Sequence, residues 1–346
     1  MNLTIIKKIQ TDEEIIQQFP LSEEALQNIA KDRKEVQNIL SGKDNRMLMI
    51  IGPCSAWPYD AVIEYASRLK DLSEKVDNKL KLVLRTYIQK PRTTKGWTGP
   101  VNQPNPFSEP DIEEGIKYTR SLMVKVLEMG LPIADEALFT HNAKGFLELL
   151  SWVAIGARSV EDQEHRIFAS AVNCPVGMKN PTSGNIQIGV NSIIAAQNSH
   201  TAVFNGYQVE TNGNNFAHLV LRGGADGGPN YHVEDLLLAK KLIQENNVLN
   251  PAIVIDASHD NALVDGKKDF TQQVNVIKEV MNNLVEHPEL KGIIKGFMVE
   301  SFIKAGNQNA SKLTPETVDL SGLSITDPCL GWEETEELIL DLAGRL

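Results

Sequence analysis

Eight short apolar runs punctuate this chain, each closing on a polar or charged residue: "MLMIIGPC" (47–54), "LVLRTY" (82–87), "LPIADE" (131–136), "VAIGAR" (153–158), "CPVGMKN" (174–180), "AHLVLRGG" (217–224), "AIVIDASH" (252–259) and "GFMVES" (296–301). Their apolar residues are nearly continuous rather than alternating, as in parallel strands covered on both faces. Helical patterns fall between them, for example "DAVIEYASRLKDLSEKV" after the first run and "DIEEGIKYTRSLMVKVLEMG" before the third. The second of these stops at Gly130, with Pro132 just beyond. Strand-like runs separated by helical crossovers predict an α/β fold, a single closed (β/α)8 TIM barrel. A doubly wound open sheet is the alternative, but neither GxGxxG nor GxxxxGK[ST] is present to support it.

A closed parallel barrel gathers the C-terminal ends of all its strands at one mouth, where such folds place their chemistry. The residues at those ends are Cys54, Arg85, Glu136, Arg158, Lys179, Arg222, His259 and Glu300, all chemically functional. Cys54, His259 and Glu300, with Asp327 from "SITDPCLGW", offer sulfur, nitrogen and oxygen ligands. Such a mixed set suits one borderline divalent ion, Mn, Fe, Co or Zn, better than Mg or Ca. Arg85, Lys90, Arg92, Arg158, Lys179 and Arg222 form a cationic group that calls for several negative charges, more than one monophosphate carries. The stretch "RTYIQKPRTTKGW" (85–97) contains no acid. It is read as a lid whose Lys90-Pro91-Arg92-Thr93 segment closes over a second phosphate.

Two pieces lie outside the barrel count. Residues 1–45 form an N-terminal extension with a helix from Ser22 to about Ser41-Gly42, expected to serve oligomer or regulatory contacts. Residues 46–346 are then the catalytic barrel, with "HTAVFNGYQVET" (200–211) as a β-hairpin inserted before the sixth strand and turning at Asn205-Gly206. A formal net charge of −11 argues against nucleic acid as the main partner. No apolar run reaches the roughly 18 residues of a membrane span. The N-terminus lacks a signal-peptide core, and Cys54, Cys174 and Cys329 are far apart. Those features predict a cytoplasmic protein.

"IGPCS", "LRTYIQKPRTTKGWTG", "WVAIGARSVEDQEHR", "CPVGMKNPTSG", "LRGG", "IDASHDN", "VESFI" and "SITDPCLGWEET" together resemble type I 3-deoxy-D-arabino-heptulosonate-7-phosphate (DAHP) synthases, from about residue 45 to the C-terminus. The resemblance implies condensation of phosphoenolpyruvate with erythrose 4-phosphate and water, releasing phosphate, as the first step of the shikimate pathway. By match to the motifs, Cys54, His259, Glu300 and Asp327 would hold the metal, with His259 also counted among the catalytic residues. Arg85, Lys90, Arg158, Lys179 and Arg222, with the backbone at Ala157, would bind phosphoenolpyruvate. Pro91, Arg92 and Thr93 would take the erythrose 4-phosphate end. Lys90 is the candidate proton donor to the new alkoxide, and Glu136 the group that orients or deprotonates the water. The resemblance also implies a homodimer or homotetramer and an aromatic amino acid as feedback inhibitor.

The chain departs from commoner members at Ala56-Trp57-Pro58, at Gln89 and at "NPTSGN", without removing any of these ligands. A related synthase taking arabinose 5-phosphate is the nearest competing enzyme, and "KPRTT" weighs against it. A non-catalytic phosphosugar sensor would be expected to lack a ligand or the lysine. A metallohydrolase barrel would want several His ligands and an HxH start.

Overall fold

The computed structural model describes residues 2–92, 96–138, 145–204, 206–308 and 312–346. In chain order, α1 (Asp12–Gln18) and α2 (Glu23–Leu40) precede β1 (Met47–Gly52), α3 (Tyr59–Val76), β2 (Leu80–Arg85), α4 (Ile112–Glu128), β3 (Ile133–Ala137) and β4 (Trp152–Ile155). Next come α5 (Gln163–Ala171), β5 (Val176–Lys179), α6 (Ile186–Gln197), β6 (Thr201–Phe204), β7 (Tyr207–Glu210), β8 (His218–Leu221) and α7 (Val233–Glu245). The last part holds β9 (Ile253–Asp256), β10 (Leu263–Val264), β11 (Lys267–Lys268), α8 (Gln272–Glu286), β12 (Ile294–Glu300) and α9 (Trp332–Arg345). Every apolar run read from the sequence supplies one strand of a closed barrel, in the order β1-β12-β9-β8-β5-β4-β3-β2.

Strand pleating explains why the chemistry points inward. Ile50, Val83, Ala134, Ala154, Val220, Val254 and Met298 pack together as the barrel's inner core. Two residues further along each strand the same face returns, and there stand Gly52, Arg85, Glu136, Gly156, Arg222, Asp256 and Glu300. Gly177, two before Lys179, is required for the same reason. A Cβ there would meet the Trp152 ring at 2.2 Å.

The opposite end of the barrel is closed by α2. Ser22 caps the helix by accepting from the Ala25 N–H, and its own N–H and hydroxyl donate to Glu128 on α4. Val36, Ile39 and Leu40 enter the inner core. Lys81, at the bottom of β2, donates to Asp32 at 2.6 Å and Glu35 at 2.7 Å. The apolar face of this helix is therefore covered by the barrel itself. Before it, α1 starts on a Thr11–Glu14 capping box. The preceding extended segment leaves Leu3, Ile5 and Ile6 exposed at 61%, 84% and 92%.

The inserted hairpin is β6–β7, paired from Thr201↔Glu210 to Phe204↔Tyr207. Asn205 of its expected turn lies outside the described residues, while Gly206 is left-handed at φ +81°. A second small hairpin, β10–β11, turns through Asp265 and Gly266, both with positive φ, as an Asp-Gly turn of this kind requires. Among the described residues, no helix is long and apolar enough to cross a membrane.

Candidate active site

Cys54 lies just past β1, Glu300 ends β12, and Asp327 sits in the loop leading to α9. One ligand atom from each falls within 4.8 Å of the others. The Cys54 and Asp327 loops are tied by a 3.0 Å hydrogen bond between the hydroxyls of Ser55 and Thr326. Backbone bridging after β12, with the Leu330 N–H donating to the Glu300 carbonyl at 2.9 Å, brings the third donor alongside. His259 stands close but outside that tight set. Its Nε2 is 3.9 Å from Glu300 Oε1, and its Nδ1 is 2.9 Å from Asp256 Oδ2.

Each of the three clustered donors faces a cation. Lys90 Nζ is 3.1 Å from Cys54 Sγ, Arg85 Nη2 is 3.0 Å from Glu300 Oε1, and Lys268 Nζ is 2.6 Å from Asp327 Oδ2. Burial pushes the Cys54 thiol up and Glu300 adds to this, against the pull of Lys90. Burial would also raise Asp327, but Lys268 holds it well below the usual carboxylate range. A sulfur and two carboxylates held together, with an imidazole beside them, fit a borderline divalent ion.

The remaining cations and acids interlock around this cluster. Lys179 Nζ is 3.3 Å from both Glu136 Oε2 and Asp256 Oδ2. Burial would raise Glu136, but Lys179 and Lys90 outweigh it and hold its carboxylate ionised below the usual range. The carboxylate lies against Gly156, where a Cβ would meet Glu136 Oε1 at 2.2 Å. Arg222 is buried and paired with Asp260. The Arg85 side chain is fully buried, yet its Nε and Nη1 have no hydrogen-bond partner. Unmet guanidinium donors in such a site are costly unless an anion meets them.

Other expected residues stand nearer the rim. Arg158 is exposed and Ala157 half-buried in the loop after β4. Pro91 is half-buried, and Arg92 is exposed, its Nε donating to the Trp97 carbonyl at 2.7 Å. Thr93 lies outside the described residues. The departures have local roles. Trp57 makes edge contacts with Trp97 and Phe107, and the Gln89 amide oxygen accepts from the Leu138 N–H at 3.2 Å.

Several participants were not singled out from the sequence. Asp256 is fully buried between Lys179 and His259. Asn180 accepts from the Arg222 N–H at 2.9 Å and donates to the Gly223 carbonyl at 2.8 Å, locking β5 to β8. Lys268 arrives on the β10–β11 hairpin, and Tyr87 lies beneath the cations.

Comparison with known proteins gives the same frame. The Trp-sensitive phospho-2-dehydro-3-deoxyheptonate aldolase of Escherichia coli is 38% identical over 346 residues, covering 99% of this chain and 96% of that one. The Tyr-sensitive enzyme of Salmonella typhimurium is 37% identical, covering 100% of this chain and 96% of its own. The solved structure of the phospho-2-dehydro-3-deoxyheptonate aldolase from Francisella tularensis superposes with a TM-score of 0.92 at 34% identity, over 99% of this chain and 98% of that one. Residues 18–339 match the model of the DAHP synthetase I family, and the chain belongs to that family.

Proposed function

We propose that this barrel mouth is where the chain, a 3-deoxy-7-phosphoheptulonate synthase, condenses phosphoenolpyruvate with erythrose 4-phosphate and water to give DAHP and phosphate. The observation that carries the assignment is the convergence of Cys54, Glu300 and Asp327 on one point, with Arg85 and Lys90 in contact with that same cluster.

Cys54, Glu300 and Asp327, joined by His259, would hold one divalent ion, Mn, Fe, Co or Zn. That ion supplies Lewis acidity toward the aldehyde oxygen when bound. Arg85 offers two unmet N–H donors to the phosphoenolpyruvate anion, and Lys90, Lys179, Arg158, Arg222 and the Ala157 backbone complete its grip. Pro91, Arg92 and Thr93 take the phosphate of the aldose. Lys90 reaches the reacting centre from the Cys54 side and protonates the alkoxide as the new bond forms. Glu136, kept ionised by Lys179, orients the water that adds at C2; its depressed basicity favours that part over proton abstraction.

The names of the relatives carry Trp and Tyr sensitivity, which supports an aromatic amino acid as effector of this chain. We assign residues 1–45 and the hairpin at 200–211 to oligomer and effector contacts, in a homodimer or homotetramer. Three buried free cysteines fit the reducing cytoplasm as its location. The deciding experiment is turnover of phosphoenolpyruvate with erythrose 4-phosphate, before and after chelation and metal return. Equal turnover with arabinose 5-phosphate, or full activity after chelation, would overturn the reading.

A further inference from the structure

Tyr87 is 2% exposed and lies under the cationic group. The Arg85 guanidinium carbon is 3.9 Å from the centre of its ring, Lys179 Nζ is 5.7 Å away and Lys90 Nζ 5.9 Å away. Three like charges around one ring repel each other; Arg85 and Lys179 pair with acids on different strands, while Lys90 contacts the Cys54 carbonyl and sulfur. The electron-rich face of an aromatic ring attracts cations, most strongly where water is excluded. It also fixes the plane of a guanidinium, because the flat ion lies over the flat ring.

We propose that Tyr87 is a positioning residue for the reaction, its ring face holding Arg85, Lys90 and Lys179 in the geometry that receives the phosphoenolpyruvate anion. The unmet Nε and Nη1 donors of Arg85 make the orientation of that plane consequential. A guanidinium free to tilt would turn those donors away from the anion. The phenol hydroxyl has a separate occupation: it donates to the Met298 sulfur at 3.7 Å, a weak acceptor on the barrel's inner core. Burial keeps that hydroxyl protonated, so the ring face and not the oxygen carries the role.

The inference rests on Arg85, Lys90 and Lys179 being the phosphoenolpyruvate grip, and its test separates the two. In the full-length chain, position 87 is replaced by Phe and then by mono-, di- and trifluorinated phenylalanine. These keep the ring's size and progressively drain its face. Tyr87→Phe should stay within about threefold of the parent enzyme. Along the fluorinated series, log KM for phosphoenolpyruvate should rise steadily, by roughly three- to thirtyfold in all, the range a buried cation–π contact supports. KM for erythrose 4-phosphate and Tm should hold, and kcat should move less than KM. A flat series while Arg85→Ala still raises KM for phosphoenolpyruvate overturns the role of Tyr87 alone. A flat series with Arg85→Ala also silent overturns the grip itself.

Discussion

The Lys90 ammonium lies 3.1 Å from the Cys54 sulfur and donates to the Cys54 carbonyl at 2.6 Å, joining the stretch after β2 to the Cys54–Glu300–Asp327 cluster. The group read as proton donor and a group read as ligand thus share one small volume. On the proposed roles, substrate binding, metal binding and proton transfer meet there.

The first prediction concerns the sulfur. Cobalt(II) added to the metal-free protein should give a thiolate-to-metal absorption band, and Cys54→Ala should remove it. Its cobalt affinity should fall by more than the ten- to hundredfold seen when groups outside the ligand set are changed. Cys174→Ala should keep the band. A normal band in Cys54→Ala would exclude Cys54 as a ligand.

Substitutions in the lid should separate the substrates. Arg92→Ala removes a charged contact of about 1.5–3 kcal/mol and should raise KM for erythrose 4-phosphate roughly ten- to a hundredfold, sparing that for phosphoenolpyruvate. Arg85→Ala should do the reverse. Lys90→Ala should depress kcat instead, because its proton is needed only as the alkoxide forms. Initial rates with each substrate varied in turn check all three, and one shared small change in both KM values would make this stretch a solvated loop.

What was legible in the sequence, and what was not, follows from geometry. The barrel and the residues at its mouth could be read because closure sends every strand's C-terminal end to one place, and the two-residue pleat decides which side chains face in. Asp256 was hidden because it stands inside "AIVIDASH", three residues before the strand-end His259. Tyr87 reads equally well as core, since only spatial placement puts cations over its face. Lys268 arrives through two-residue strands too short to show a period, although Asp265-Gly266 marked their turn. The partner of the α2 apolar face could not be read either, because a helix pattern says that a face is covered and not by what.

Two buried groups should pull stability in opposite directions with pH. His218 sits low in the barrel, its Nε2 accepting from the Trp152 indole N–H at 3.1 Å and its Nδ1 donating to the Phe216 carbonyl at 2.8 Å. Burial pushes its pKa down from 6.5 to about 4. Its stabilisation is complete above the unfolded value and is lost as pH falls between the two. Burial pushes Asp135 up from 3.8 to about 7, so its stabilisation is present at low pH and lost as pH rises. Over the shared window the slopes nearly cancel, each about 1.4 kcal/mol per pH unit. Relative to the parent, His218→Gln should therefore become less stable as pH rises from about 4.5 to about 6, and Asp135→Asn more stable, each by about 2 kcal/mol. Denaturant unfolding at both pH values checks this, and parallel profiles for all three proteins would count against it.

The last prediction concerns the segment before the barrel. Because α2 buries its apolar face in the barrel floor, removing it would expose the inner core and should abolish folding. Residues 2–10 differ: Leu3, Ile5 and Ile6 are exposed, and the segment is held by surface contacts, Lys7 to Asp111 and Glu113 and Gln10 to Gln18. Surface ion pairs of this kind contribute little. The hairpin likewise exposes Val203 at 78% and Tyr207 at 73%. Runs of exposed apolar residues on these two elements fit contact with another subunit. Deleting residues 2–9 should lower the sedimentation mass to a smaller assembly while leaving the melting temperature of the barrel within a few degrees. Val203→Asp should do the same from the hairpin side. Unchanged mass in both variants would place the subunit contact elsewhere on the barrel.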